Sequence, residues 1–244
     1  MDRGPFSFAT SAMIGGMAAP HASGKTVFLF DVDNTLLDND AIISDLSGHL
    51  EREVGVEHER RYWTIFETLR TELGYADYLG ALQNYRNVYP HDPCTLPASR
   101  FLMNYPFASR LFPGALAVVE HVRRWGTPVI LTDGDIVFQP RKIDRSGLND
   151  AFHGRVLIYV HKELELADVE TRYPADHYVM IDDKLRILAA MKKIWGARLT
   201  TVFVRQGHYA LDPAQVAAYP PADLTVEHIG EISDYDRGRF AAPC

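Results

Sequence analysis

The residues of this chain best able to do chemistry are aspartates. Asp31 and Asp33 stand one residue apart where the apolar stretch TVFLF runs into DVDNTLLDND, and a second acidic pair, Asp182 and Asp183, follows another apolar run in VMIDDK. If the two runs are neighbouring strands, three or four carboxylates converge on one spot, and such a cluster repels itself unless something positive occupies it. All-oxygen ligands suit a hard divalent cation. Mg²⁺ is the cofactor expected, because it takes a few carboxylates while keeping waters and substrate phosphate oxygens. One carboxylate, ionised at neutral pH given a reference pKa of about 3.9, could attack a phosphorus atom. A second, two residues on, is placed to protonate the leaving oxygen and then to deprotonate water. A hydroxyl such as Thr132, which closes the apolar run TPVILT, and a lysine such as Lys162 would bind the charge spread over a transferring phosphoryl group. Lys184 and Lys142 compete with Lys162 for that place.

These side chains need a scaffold that brings strand ends together. TVFLFDVD reads as a fully buried strand of a parallel sheet, and TPVILT, GRVLIYV, HYVMID and LTTVFV repeat the type. Helical stretches separate them: GALAVVEHVRRWG, with Leu116, Val119 and Val122 on one side, IVFQPRKIDRSG closed by Gly147, and KLRILAAMKKIWG closed by Gly196. The alternation predicts an α/β fold, a doubly wound and mostly parallel sheet of Rossmann-like form with right-handed crossovers. Ligands bind beyond the carboxyl ends of the strands in such a sheet. One interval breaks the rhythm. From Asp38 to about Pro113 there is only helical material, including RRYWTIFETLRTEL, whose Tyr62, Phe66, Leu69 and Leu73 fall at helical spacing as core packing. The expected organisation is therefore a flexible leader over residues 1–25, a core built from 26–38 and 111–244, and an inserted all-helical lid over 39–110. The tail AAYPPADLTVEHIGEI is expected to add a short strand or helix at the sheet edge.

Together these residues resemble the haloacid dehalogenase-like (HAD) hydrolase superfamily, most of whose members are Mg²⁺-dependent phosphatases, over about residues 26 to 205. DVDNT is similar to the family's Asp-x-Asp-x-Thr motif, which would make Asp31 the nucleophile, Asp33 the acid/base and Thr35 a supporting residue. VILTDG resembles the second motif, so Thr132 would hold phosphate with help from the amides of Asp133 and Gly134. Lys162 in YVHKE fits the lysine of the third motif, and MIDDK the acidic pair of the fourth, with Asp182 a metal ligand and Asp183 a second acidic contributor. The implied metal set is Asp31, Asp33, Asp182 and Asp183, and the inserted helices correspond to the family's helical cap. Within the family, the dehalogenases do not carry an aspartate two residues after the nucleophile, so Asp33 argues for phosphoryl chemistry over carbon–halogen cleavage. The resemblance thus implies a phosphomonoester hydrolase acting on a small soluble phosphorylated metabolite through an aspartyl-phosphate on Asp31. A phosphomutase using the same intermediate and a catalytically silent HAD-like binding protein are the alternatives; a silent protein would be expected to have lost some of the four aspartates. Tyr85, Arg86 and His91 in the lid are candidates for reading the leaving group, and Arg205 and His208, beyond the fifth apolar run, for touching substrate.

Composition narrows the partners. A formal charge of -7 with scattered Lys and Arg gives no basic footprint, so no nucleic-acid partner is expected. Cys94 and Cys244 are the two cysteines and show neither metal-ligand spacing nor a disulfide pattern, which points to a reducing, cytoplasmic setting. No apolar run approaches the roughly 18 residues of a membrane helix, so no membrane partner is expected. The leader is too broken by Gly, Pro and His for a signal peptide, and Met13 and Met17 are alternative starts. Its SGKT does not make a phosphate loop, since Ala19 stands where the first glycine is required. The ten histidines include no His-x-His or His-x-x-x-His pair, which argues against a histidine metal site. Oligomeric state is not written in these features.

Overall fold

Runs rich in Val, Ile, Phe and Tyr form the strands of a computed structural model that describes residues 24–240; almost all of the expected leader, and Cys244, lie outside the described residues. The strands are β1 (Thr26–Phe30), β2 (Thr127–Asp133), β3 (Val156–Tyr159), β4 (His177–Asp182), β5 (Leu199–Val204) and β6 (Leu224–Val226). They pair in the order β3-β2-β1-β4-β5-β6, every pair parallel. The strand order reverses on either side of β1, and in a doubly wound sheet that reversal opens a crevice at the carboxyl ends. Successive side chains leave opposite faces. Phe28, Phe30, Ile130, Val179, Ile181, Val202 and Val204 therefore enter one apolar layer, and Val27, Leu29, Val129, Leu131, Met180 and Phe203 the other. Burial on both faces is why these strands read as continuous apolar runs.

Helices α1 (Asn39–Val54), α2 (Val56–Leu73), α3 (Tyr78–Val88) and α4 (Thr95–Asn104) fill the interval between β1 and β2 that had no strand pattern. They pack α1 on α2, α2 on α3, α3 on α4, and α4 back on α1. Tyr62 and Phe66 are buried among them as the spacing predicts, whereas Leu69 and Leu73 at the end of the same stripe are only partly buried. The chain leaves and returns side by side: Asp38 N–H donates to Arg110 O at 2.8 Å and Phe112 N–H to Leu36 O at 2.9 Å. An aromatic row from Phe66 through Tyr78 to Phe138 and Phe107 joins these helices to the sheet layer without a break.

The remaining helices are α5 (Ala115–Arg123), α6 (Phe138–Arg145), α7 (Leu148–Ala151), α8 (Leu166–Arg172), α9 (Leu185–Trp195), α10 (Gly207–Leu211) and α11 (Pro213–Ala217). On α5 the buried positions are Ala115, Val118, Val119 and Val122. Leu116, expected on that face, points outward at 44% exposure because the apolar stripe is set by Val118. The tail supplies β6 at the sheet edge. Among the described residues no helix is long and apolar enough to cross a membrane.

Candidate active site

β1 ends one residue before Asp31, whose N–H still donates to Ile181 O on β4 at 3.0 Å. This bond carries the register past the strand end and sets Asp31 beside Asp182, the last residue of β4. The turn that follows is built by the polar residues of DVDNTLLDND. Asn34 takes a left-handed φ of 61°, which Asn tolerates better than most residues. Its Oδ1 accepts from the amides of Asn39 at 3.0 Å and Asp40 at 3.1 Å, while Asp38 Oδ1 accepts from Ala41 N–H at 2.9 Å. Three otherwise unpaired amides at the start of α1 are thereby satisfied. The same stretch that ends β1 thus starts the inserted helices.

Asp31, Asp182 and Asp183 each bring a carboxylate oxygen within 4.8 Å of the others, all three residues buried. Lys162 reaches this group from beyond β3, passing behind β2, where its Nζ donates to Leu131 O at 3.3 Å. Nζ then donates to Asp31 Oδ1 at 2.6 Å and lies 2.6 Å from Asp182 Oδ2, the latter contact an ion pair without hydrogen-bond alignment. The turn carrying Lys162 is held twice. Its N–H donates to Asp133 Oδ1 at 2.7 Å, and the neighbouring Glu163 pairs with Arg186 of α9 at 2.5 Å.

Burial raises the pKa of the Asp183 carboxyl well above its usual value; Lys184 opposes this while Asp182 and Asp31 add to it. The same desolvation raises Asp182, with Lys162 working against it. Lys162 is itself buried, which alone would lower its pKa, but Asp182, Asp31 and Asp133 outweigh the burial and raise it. Among the described residues, Asp31 Oδ2 and both oxygens of Asp183 accept no hydrogen bond. Buried carboxylate oxygens without donors are costly, and a hard cation with an all-oxygen preference is what this donor set fits. The Asp33 carboxylate is not in the group; it turns instead to Lys142 of α6, 2.5 Å from Nζ, so three of the four carboxylates implied by the resemblance lie together.

The other expected residues divide between those at the centre and those away from it. Thr132 is buried at the end of β2, its Oγ1 accepting from Gln139 Nε2 at 3.1 Å. Gly134 is not available as a phosphate-binding amide, because its N–H donates to Tyr159 O at 3.0 Å and continues the sheet ladder. Asp133 contributes its carboxylate to Lys162 as above. Asp33, Asn34, Asp133, Lys184 and His208 border one cavity of about 380 Å³ between the strand ends and helices α2 and α3. His208 faces it with its ring on Asp40, Nδ1 2.7 Å from Oδ1. Arg205 instead pairs with Glu227 at 2.8 Å on the exposed surface. Tyr85 is fully buried inside the inserted helices, and Arg86 and His91 are exposed; none of the three lines the cavity. The lid contributes Phe66, Arg70, Tyr75 and Tyr78 in their place. Arg70 donates to Tyr209 OH at 2.5 Å and to Glu67 at 2.6 Å, spanning the gap from α2 to α10. Nothing in the local sequence distinguishes Arg70 from a solvated helix residue, since the element it meets lies 139 positions away.

The model of the family described as haloacid dehalogenase-like hydrolase matches residues 25–194. A comparison with curated proteins gives no match. Among solved structures, a haloacid dehalogenase-like hydrolase of Burkholderia xenovorans LB400 is 65% identical, covering 87% of this chain and 99% of that one at a TM-score of 0.84. A haloacid dehalogenase-like family hydrolase of Xanthomonas campestris is 17% identical, covering 91% and 95% at a TM-score of 0.64. The L-2-haloacid dehalogenase of Xanthobacter autotrophicus, with chloropropionic acid covalently bound, is 16% identical over 86% and 97% at a TM-score of 0.54. At such identities the last two share the fold.

Proposed function

The chain belongs to the haloacid dehalogenase-like hydrolase family, and from that premise we propose that it is a Mg²⁺-dependent phosphomonoester hydrolase working through an aspartyl-phosphate on Asp31. The observation that carries the reading is Asp33: a second carboxylate two residues beyond Asp31, bordering a cavity of about 380 Å³, the size of a small-metabolite site. Carbon–halogen displacement generates a halide that needs no proton, whereas an ester oxygen leaves as an alkoxide unless one is supplied.

Asp31, Asp182 and Asp183 would hold Mg²⁺, which when bound offsets the negative charge of the phosphate and draws it to the strand ends. Asp31 then attacks phosphorus; the Asp31 O–P bond forms as the bond from phosphorus to the leaving oxygen breaks, and Asp33 gives that oxygen a proton. Water next attacks the same phosphorus, loses its proton to Asp33 and frees Asp31. The sum is an alcohol and inorganic phosphate from an ester and water, with both aspartates restored. Lys162 keeps Asp31 oriented and, with Thr132, faces the charge of the transferring group. The small phosphorylated substrate would lie with its leaving group towards Arg70, Tyr75 and His208.

The test is phosphate release from a chromogenic aryl phosphate by the purified protein, with Mg²⁺ and with chelator, alongside Asp31→Asn. Metal-dependent release is expected, with a loss in Asp31→Asn of at least about 10³-fold. Chloride release from 2-chloropropionate, measured in parallel, is expected to be absent. Undiminished phosphate release by Asp31→Asn, or chloride release in place of phosphate, would overturn the reading.

A further inference from the structure

Beside the reaction centre lies a second buried lysine that the mechanism above does not use. Lys142, on the inner side of α6, is 1% exposed. Lysines are rarely so buried without a partner, because an ammonium taken out of water is costly unless an opposite charge meets it. Here the partners are specific. Nζ lies 2.5 Å from Asp33 Oδ1 and donates to Asn39 Oδ1 at 3.1 Å. Asn39 Nδ2 in turn donates to Tyr78 OH at 3.2 Å, and the ammonium stands 6.0 Å from the ring centroids of both Tyr78 and Phe138.

The four segments in this chain of contacts differ in origin. Asp33 belongs to the turn after β1, Lys142 to a helix packed on the sheet, and Asn39 and Tyr78 to the first residues of α1 and α3. Asp33 Oδ1 is sealed against the ammonium, while the side chain as a whole keeps 22% exposure and borders the cavity. One oxygen is therefore clamped and the remaining exposure faces the space where a leaving group would sit. A buried ion pair that served the fold alone would be replaceable by apolar groups of similar volume at little cost. Such a pair would have no reason to end on a carboxylate that must be aimed.

We propose that Lys142 is a positioning residue for Asp33. It fixes the direction from which Asp33 meets the leaving oxygen, and Asn39 and Tyr78 tie that direction to the seating of the inserted helices over the cavity. The inference rests on the phosphatase reading above. A misplacement of about 1 Å at such a group can cost on the order of 10²-fold in rate.

The dependence of rate on the leaving group separates positioning of an acid from general disruption. An acidic phenol leaves without a proton, an alkoxide does not. For wild type, Lys142→Met and Asp33→Asn, kcat/KM is measured on p-nitrophenyl phosphate, phenyl phosphate and an alkyl phosphate; with these esters it reports transfer to Asp31. Lys142→Met is expected to lose about 10²-fold on the alkyl ester and under about 10-fold on the p-nitrophenyl ester, the same steepening that Asp33→Asn gives more strongly. Tyr78→Phe, which removes one hydroxyl, is expected to steepen the series in the same sense by a smaller factor, and carries the test if circular dichroism shows Lys142→Met unfolded. A loss uniform across the three esters, or no loss, overturns the inference and leaves the phosphatase reading standing. Failure of wild type to release phosphate from any ester overturns that reading and this inference with it.

Discussion

What an aspartate does at a strand end is decided by what each of its oxygens meets. Asp31 Oδ1 and Asp182 Oδ2 share the Lys162 ammonium, whereas Asp183 has two buried oxygens and, among the described residues, no donor for either. Removing that carboxylate's charge should therefore help the metal-free protein. Asp183→Asn is expected to raise its unfolding free energy by about 1–3 kcal/mol. With Mg²⁺ present the order changes: wild type should gain about 2.7 kcal/mol at 100 times its dissociation constant, and the variant much less. Urea denaturation of both proteins, with chelator and with Mg²⁺, checks this; equal gains in the two would remove Asp183 from the metal set. The aspartates were legible because their signal is local, an acidic residue following an apolar run. Lys142 was named only as a competitor of Lys162, not as the partner of Asp33, and Arg70 was not named at all, because a lysine or arginine on an amphipathic helix looks alike in water and in a cleft until its partner is known.

At the scale of elements, the joint between lid and core is a matter of close approach. Gly74 ends α2 in a left-handed conformation, φ 80° and ψ 1°, and a Cβ there would fall 2.6 Å from the His161 ring, next to Lys162. Gly147 has nearly the same backbone, φ 83° and ψ 2°, with open space around it. The pair isolates the contact from the conformation. Gly147→Ala is expected to cost about 1 kcal/mol for the left-handed backbone alone and to leave turnover unchanged. Gly74→Ala should cost more, and should also lower activity by displacing His161 and the turn that carries Lys162. Thermal melts and phosphate-release rates on the two variants decide it; equal behaviour in both would mean that the lid does not bear on that turn. Both glycines were readable as helix stops, and Gly147 was read so. Only the packed structure tells which stop faces a neighbour.

Taken whole, the molecule gathers its candidate site at the carboxyl ends of the sheet and holds a half-buried histidine at the amino ends. His177 opens β4 there, its Nε2 2.9 Å from Thr200 Oγ1, which donates to Phe240 O at 3.1 Å. Burial holds the His177 pKa below its ordinary value, with the Phe240 carbonyl opposing. The folded state thus keeps this ring neutral while the unfolded chain takes up a proton as pH falls through about 6.5. The unfolded state then binds more protons, so stability falls with falling pH across that window. His177→Gln should flatten this part of the profile, measured as urea midpoints between pH 7.5 and 5.5. A variant that loses stability as steeply as wild type would place the sensitivity elsewhere. Activity is not expected to follow the substitution, since the sheet separates His177 from Asp31.

The sequence by itself determined the parallel α/β core, the helical interval after the first strand, and the carboxylates at two strand ends, all of them properties carried by runs of a few residues. Apolar runs buried on both faces admit few other readings, and an acidic residue ending such a run announces itself. Tertiary structure alone decided the rest. It set Asp31 beside Asp182 through the β1–β4 register, brought Lys162 across β2, committed the Gly134 amide to Tyr159, and turned Asp33 from the other carboxylates to Lys142. Each of those outcomes depends on which distant segment lies opposite, and that is fixed by packing across the sheet and the lid, where no local pattern reaches.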